Sequence, residues 1–233
     1  MGASDAPENR ELRSFGRRHG RKFSAAQEQL LAVDLPRVRV DLDIPPPQPL
    51  AELFVSPVHE VWLEIGFGGG EHLLWQAAHH PDVGLIGCEP YLDGVVKVLS
   101  GIRSQKCERI WLHADDARPL LRWLPENSIA RAFVLFPDPW PKARHHKRRL
   151  ISPVMVDALS RVIRPGGQFR LATDIGDYAR TSLLALTASP RFRWLAEGPG
   201  DWRERLADWP QTRYEQKAVA AGRRCYFLSF ERI

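Results

Sequence analysis

Short apolar runs separated by amphipathic stretches set the rhythm of this chain. The runs 61–65, 83–88 and 132–136 are apolar almost throughout, with little alternation. Such runs predict strands buried on both faces, as in parallel sheets. Strands are predicted at 60–65, 83–88, 109–113, 132–136 and 169–173, with further candidates at 192–196 and 226–230. Between them the apolar spacing becomes helical, over 71–80, 92–104 and 178–187. The plainest case is 151–163, where Ile151, Met155, Leu159 and Val162 form one stripe flanked by Val154 and Ile163. Arg164-Pro165-Gly166-Gly167 is expected to stop that helix. Strand and helix in alternation predict an α/β fold, a parallel sheet covered on both faces.

The first fifty residues lack this periodicity. Ser24, with Gln27 three positions on, predicts a capped short helix over 24–31. Pro45-Pro46-Pro47-Gln48-Pro49 then makes a stiff connector. The chain divides there into a basic extension with its connector, 1–50, and a domain over 51–233. No internal repeat is visible. At 233 residues and 44% hydrophobic content the domain can bury a real core. Cys88, Cys107 and Cys225 are far apart and show no metal-ligand spacing, which predicts reduced thiols and no structural metal. With no long apolar run and a polar, Arg-rich beginning, the expectation is a cytoplasmic protein without a membrane span.

Charge narrows the partner. The net charge is +5, and it is clustered: six Lys/Arg against one Glu between Arg10 and Lys22, and five Lys/Arg with no acid between Lys142 and Arg149. Two cationic clusters on one chain suit a polyanion such as nucleic acid.

Candidate chemistry collects at the strand ends, where open α/β sheets gather ligands. Glu64-Ile65-Gly66-Phe67-Gly68-Gly69-Gly70 reads as a strand breaking into a loop whose glycines, Gly66 and Gly68 among them, let backbone approach a nucleotide-like ligand. Acids follow each predicted strand in turn: Glu64, Glu89, Asp115 or Asp116, Asp138 and Asp174. Glu89 suits a ribose diol, and the Asp116-Ala117 pair an adenine amine. Glu64 beside the loop would attract an ammonium and repel a pyrophosphate, which favours S-adenosylmethionine over a dinucleotide. Pro137, Pro139 and Pro141 make a rigid ledge presenting Asp138 and Trp140. The cationic run Arg144-His145-His146-Lys147-Arg148-Arg149 beyond it is expected to hold RNA phosphates.

The residues Arg13-Ser14-Phe15-Gly16-Arg17-Arg18, 63–68, Phe136-Pro137-Asp138-Pro139-Trp140-Pro141-Lys142, Ala172-Thr173-Asp174 and Thr212-Arg213-Tyr214-Glu215 closely resemble the bacterial tRNA (guanine-N7)-methyltransferase family. The resemblance spans nearly the whole chain. It implies a Rossmann-like class I methyltransferase fold, with a mostly parallel seven-stranded sheet, and methyl transfer to guanine 46 of tRNA. Glu64, Glu89, Asp116 and Asp138 would then contact S-adenosylmethionine or lie at its edge. Lys142, Asp174 and Thr212 through Glu215 would contact the substrate, with Asp138 nominated as the catalytic group. The amino-terminal arginines are expected to clamp tRNA, and the enzyme to act as a monomer or homodimer. Ala143 and His146 depart from the family pattern, which usually has Lys and Asn in that run. A methyltransferase for protein or small molecules, a noncatalytic RNA-binding relative and a nicotinamide oxidoreductase are the competing readings.

Overall fold

The computed structural model describes residues 18–20 and 22–233. Most of the amino-terminal arginine cluster and of its motif therefore lies outside the described residues. Where the description begins, Ser24 caps α1 (Ala25–Gln29) in a full capping box: its side chain accepts from Gln27 N–H while the Gln27 side chain accepts from Ser24 N–H. The helix runs on further than the predicted 24–31, through a π-helical stretch, Leu30–Asp34, into α2 (Leu35–Val38). Pro36 has no N–H to return to the carbonyl four residues back, and the wider turn, with Leu35 N–H reaching Leu30 C=O, accommodates it. Beyond α2, Arg39 bridges Leu112, and Val40 N–H donates to the Leu112 carbonyl at 2.9 Å.

After the connector, strands and helices alternate as the sequence predicts. They are β1 (Glu60–Ile65), α3 (Glu71–His79), β2 (Val83–Cys88), α4 (Leu92–Gln105), β3 (Ile110–His113), α5 (Ala117–Trp123) and β4 (Ile129–Leu135). Then come α6 (Pro153–Val162), β5 (Ile163–Thr173), α7 (Gly176–Thr187), β6 (Phe192–Trp194), α8 (Gly200–Arg203), α9 (Arg213–Ala220) and β7 (Tyr226–Arg232). The described residues form one seven-stranded sheet in the order β3-β2-β1-β4-β5-β7-β6. Strands β1 to β5 pair in parallel, and β7 runs antiparallel to β5 and β6. The order reverses between β1 and β4, so the crevice above their carboxyl ends is the natural ligand site.

Period-two alternation divides the core between the two faces. Val61, Leu63 and Ile65 of β1, with Ala132 and Val134 of β4, pack against Leu120 and Leu121 of α5, Met155 and Leu159 of α6 and Tyr178 of α7. Trp62, Phe133 and Leu135 point the other way, onto Leu73 and Ala77 of α3 and Val95, Val98 and Leu99 of α4. Burial of each large apolar side chain contributes about 1.5–3 kcal/mol, enough to pin the register on both faces. Leu30 and Val40, ahead of the connector, are buried in these same cores.

Two strands start well before the sequence reading places them. β4 starts at Ile129 rather than 132, because Ile129 pairs with Ile163 and Arg131 with Trp62 and Gln168, partners distant in sequence. β5 starts directly at Ile163: Ile129 pairs with Ile163 but Arg131 with Gln168, so 164–167 bulge out, with Gly166 at φ +74°. The Pro-Gly-Gly stretch thus ends α6 and kinks the following strand in one step. Among the described residues no helix is long and apolar enough to cross a membrane.

Leu63, fully buried at the centre of β1, is expected to lose about 3 kcal/mol of stability as Leu63→Ala. The measurement is the shift of the urea midpoint at unchanged slope. A loss below about 1 kcal/mol would contradict close packing there.

Candidate active site

The glycine loop is built on a buried carboxylate. Gly66, Gly68 and Gly70 have φ of +78°, +54° and +78°, a region that side chains disfavour. Gly68 N–H donates to Glu89 Oε2 at 2.8 Å, and Tyr91 N–H to Glu89 Oε1 at 2.9 Å. One side chain therefore ties the loop after β1 to the turn after β2. Burial pushes the Glu89 carboxyl up, the two N–H bonds pull it down, and nearby Asp138 and Glu64 add to the rise, leaving it above the ordinary glutamate value. Helix α4 packs so closely on the loop that a Cβ on Gly94 would stand 2.0 Å from the Gly68 carbonyl oxygen. At Gly66, by contrast, a Cβ would meet nothing within 4 Å. That open space belongs to a cavity of about 530 Å³ over the strand ends.

The cavity brings together some of the strand-end acids and not others. Glu89, Asp116 and Asp138 line it. Of the adjacent pair, Asp116 also caps α5, accepting from Arg118 N–H at 2.9 Å, and pairs with the Arg118 guanidinium at 2.7 Å. Asp115 turns outward to Arg18 at 2.6 Å. Glu64 lies below the loop, 2% exposed, against His72 Nδ1 at 2.8 Å, and is not part of the lining. Asp174 likewise stands outside the lining, bound to Arg223 Nε at 2.6 Å. Tyr91 and Arg118 line the cavity although nothing in their spacing singled them out.

The proline ledge forms one wall of the cavity. Asp138 sits between Pro137 and Pro139, flanked by Phe136 at φ +51° and Trp140 at φ +42°. Left-handed backbone at two bulky residues costs about 1–3 kcal/mol each, a strain that persists where surrounding structure fixes the chain. Phe136 N–H is held by the Ala172 carbonyl at 2.7 Å. Trp140 faces the cavity with the Arg148 guanidinium 4.9 Å from its ring centroid and His145 edge-on at 5.9 Å.

The cationic run beyond the ledge forms a 3₁₀ helix, Ala143–Arg148. Lys142, Arg144 and Lys147 are exposed, and His145 and His146 are half-buried. Desolvation, then Arg148 and Arg144, hold His145 below its ordinary value, so it offers hydrogen bonds rather than charge at neutral pH. Arg149 corrects the sequence reading, which placed it among the phosphate contacts. It is 6% exposed, and its guanidinium donates to the Pro139 carbonyl at 3.1 Å, Thr181 Oγ1 at 3.0 Å and Asp177 Oδ2 at 2.6 Å. The Arg149 bond in turn holds the Asp177 carboxyl below the usual range.

The late Thr-Arg-Tyr-Glu element closes the opposite wall. Thr212 caps α9, its hydroxyl accepting from Glu215 N–H at 3.3 Å. Tyr214 lines the cavity so close to the glycine loop that a Cβ on Gly68 would stand 3.2 Å from its ring, and Arg213 lies over that ring at 5.6 Å. Glu215 turns inward to Arg205 at 3.2 Å, and burial raises its carboxyl despite that arginine.

A sheet of this order, with a glycine loop after its first strand, a buried carboxylate after its second and an acid-lined cavity, defines a Rossmann-like methyltransferase. Solved structures of the same architecture include a 16S rRNA methyltransferase, KamB, with TM-score 0.57, 16% identity and coverage of 80% of this chain and 94% of that one. An antibiotic-related methyltransferase gives TM-score 0.56 at 13% identity, covering 83% and 95%. The family model described as "Putative methyltransferase" matches residues 59–228. The tRNA (guanine-N(7)-)-methyltransferase of Chelativorans sp. (strain BNC1) is 44% identical over 97% of this chain and 98% of its own length. Those of Jannaschia sp. (strain CCS1) and Rhodospirillum rubrum are 46% and 48% identical, covering 98% and 95% of this chain and 98% and 88% of their own. The chain belongs to the tRNA (guanine-N(7)-)-methyltransferase family.

The burial of Arg149 separates it experimentally from its neighbours. Arg149→Ala is expected to lower unfolding stability by about 2–3 kcal/mol, since it strips charged hydrogen bonds from a buried site. Arg144→Ala should stay within about 0.5 kcal/mol of wild type. Equal stabilities in a denaturant titration would reject the anchoring role.

Proposed function

We propose that this protein transfers the methyl group of S-adenosylmethionine to N7 of guanine in tRNA, at position 46. The observation that carries the reading is identity of 44–48% over nearly the whole chain to relatives named for this reaction. The site fits the methyl donor. Gly66 leaves a cradle that any Cβ would fill, and Glu89 keeps a free lone pair on each oxygen for a vicinal diol after accepting its two N–H bonds. Glu89, Asp116 and Asp138 give the cavity the negative wall that a cation requires. When bound, the donor supplies an electrophilic methyl on a sulfonium.

Guanine N7 carries an available lone pair, so the protein has no proton to remove from the attacking atom. Its work is to position the base and to stabilise the positive charge that grows on the ring. Asp138, on its rigid ledge, accepts from the N1–H and amino edge of guanine, which selects the base and offsets that charge. Trp140 offers a face for stacking. Lys142, Asp174, Thr212, Arg213, Tyr214 and Glu215 complete the substrate side; Asp174 and Glu215 act through Arg223 and Arg205, which hold them away from the cavity. Arg144, His145, His146, Lys147 and Arg148 bind phosphates beside the extruded nucleotide. As a tRNA-modifying enzyme it works in the cytoplasm.

Incubation with labelled donor and unmodified tRNA, followed by mapping of the modified nucleotide, should place label on guanine 46 as 7-methylguanine. Label elsewhere, or none, would overturn the reading. Asp138→Ala should lower kcat by about 10²–10³; wild-type turnover in that variant would remove its role.

Acid should weaken donor binding earlier than an ordinary glutamate allows. Ionised Glu89 is the acceptor, and its raised value means that affinity falls as pH drops through a point above 4.5. Calorimetry across that range should show the loss in wild type and a flat, weak profile in Glu89→Gln. A wild-type profile that turns only below 4.5 would contradict the assignment.

A further inference from the structure

A buried polar chain runs beneath the glycine loop and out to the wall that carries Tyr214. Its members Glu64, His72 and Gln76 are 2%, 2% and 1% exposed. Glu64 Oε2 lies 2.8 Å from His72 Nδ1, His72 Nε2 lies 2.9 Å from Gln76 Nε2, and Gln76 Nε2 donates to the Asp208 carbonyl at 3.2 Å. Polar groups so deeply buried cost stability unless they are bonded, so the chain calls for a reason beyond packing.

The far end fixes every donor and acceptor along it. A backbone carbonyl only accepts, so the Gln76 amide nitrogen must face Asp208. Turning the amide over would set its oxygen against that carbonyl oxygen. The same nitrogen faces His72 Nε2, which is therefore an acceptor, and the ring proton belongs on Nδ1, donating to Glu64. The tautomer of a histidine under the loop is thus set by backbone on a distant segment.

That segment is bonded on several sides. The Asp208 carboxylate binds Arg170 at 2.8 Å and Arg131 at 3.1 Å; although burial opposes its charge, the two arginines keep it below the ordinary aspartate value. Trp209 packs edge-on to His72 at 5.8 Å and against Phe133 at 6.2 Å. Arg205 reaches the Trp209 carbonyl at 2.5 Å and Glu215 at 3.2 Å, which carries the connection into α9 and Tyr214. Meanwhile Glu64 and His72 stand just before and just after the glycine loop, so their bond staples its two ends.

We propose that His72 and Gln76 are positioning residues that hold the Tyr214 wall in register with the glycine loop, so that the substrate side of the cavity is set from beneath the donor side. The inference rests on the methyl-transfer reading of that cavity. Glu64, in this arrangement, serves as the fixed end of the tether.

Two variants test it. Gln76→Met keeps the volume and removes the N–H group; His72→Asn keeps a donor near the Nδ1 position and removes the link to Gln76. Amide hydrogen exchange, read well below each melting temperature, should rise roughly tenfold over 205–215, the worth of one net hydrogen bond, with 64–72 unchanged. KM for tRNA should rise and kcat fall by a similar factor, while donor affinity by calorimetry stays within about twofold. Unchanged exchange over 205–215, or donor affinity falling in step with the tRNA parameters, would overturn the tether. A variant that fails to fold leaves the other to decide. Wild type assayed alongside separates the two claims: absence of tRNA methylation in wild type refutes the functional reading, whereas the exchange pattern judges the tether alone.

Discussion

The two hydrogen bonds accepted by Glu89 are the constraint on which the donor side of this molecule depends. Gly68 and Tyr91 lie on different crossovers of the sheet, and only the Glu89 carboxylate joins their N–H groups. Gly94 then locks the arrangement, because α4 can approach the Gly68 carbonyl only without a Cβ. An ionised carboxylate is expensive to bury, and the raised value of Glu89 records that expense. A neutral residue of the same shape could accept one of those bonds but not both while leaving lone pairs toward the cavity. The fold keeps that carboxylate on the lining of the cavity.

Charge is sorted by depth around this centre. Glu89, Asp116 and Asp138 face the cavity, while Lys142, Arg144 and Lys147 stand exposed just beyond the ledge. The inner acids would repel a polyanion that the outer cations attract. The separation needs a stiff partition, since flexible chain would let the two sets neutralise each other. Pro137, Pro139 and Pro141 supply it, with Phe136 and Trp140 held at positive φ on either side of Asp138.

Much of this was legible from residues alone, for identifiable reasons. Strands buried on both faces, such as 83–88, leave unbroken apolar runs, and the switch to helical spacing at 151–163 is strong enough to read directly. Short or polar elements were not: α5 has seven residues and only Ala117, Leu120 and Leu121 to bury, and α9 turns in little beyond Glu215 and Ala218. Their periods are too brief to stand above chance. The strand-end rule found Glu89, Asp116 and Asp138, because chain direction in a parallel sheet fixes where such residues emerge. It could not tell that Glu64 points below the loop or that Asp174 is turned to Arg223, since both depend on partners distant in sequence.

Arg149 shows why composition alone misleads in a cationic run. It reads like Arg144 and Arg148, yet the chain leaves the 3₁₀ helix just before it, with Arg149 at φ −60° and ψ 138°, and the side chain enters the protein. There it stacks 5.0 Å above Tyr178, whose own hydroxyl accepts from Ile151 N–H at 3.2 Å and whose acidity burial suppresses to a value of about 12. From that seat the guanidinium grips the Pro139 carbonyl, at the middle of the ledge. The strained backbone at Phe136 and Trp140 is thereby held from behind by a residue of the same run whose other members face outward. The exposed cations and the ledge are thus joined through a single stretch of chain, and a change in the path of that stretch would move Asp138 as well as Arg144 and Lys147.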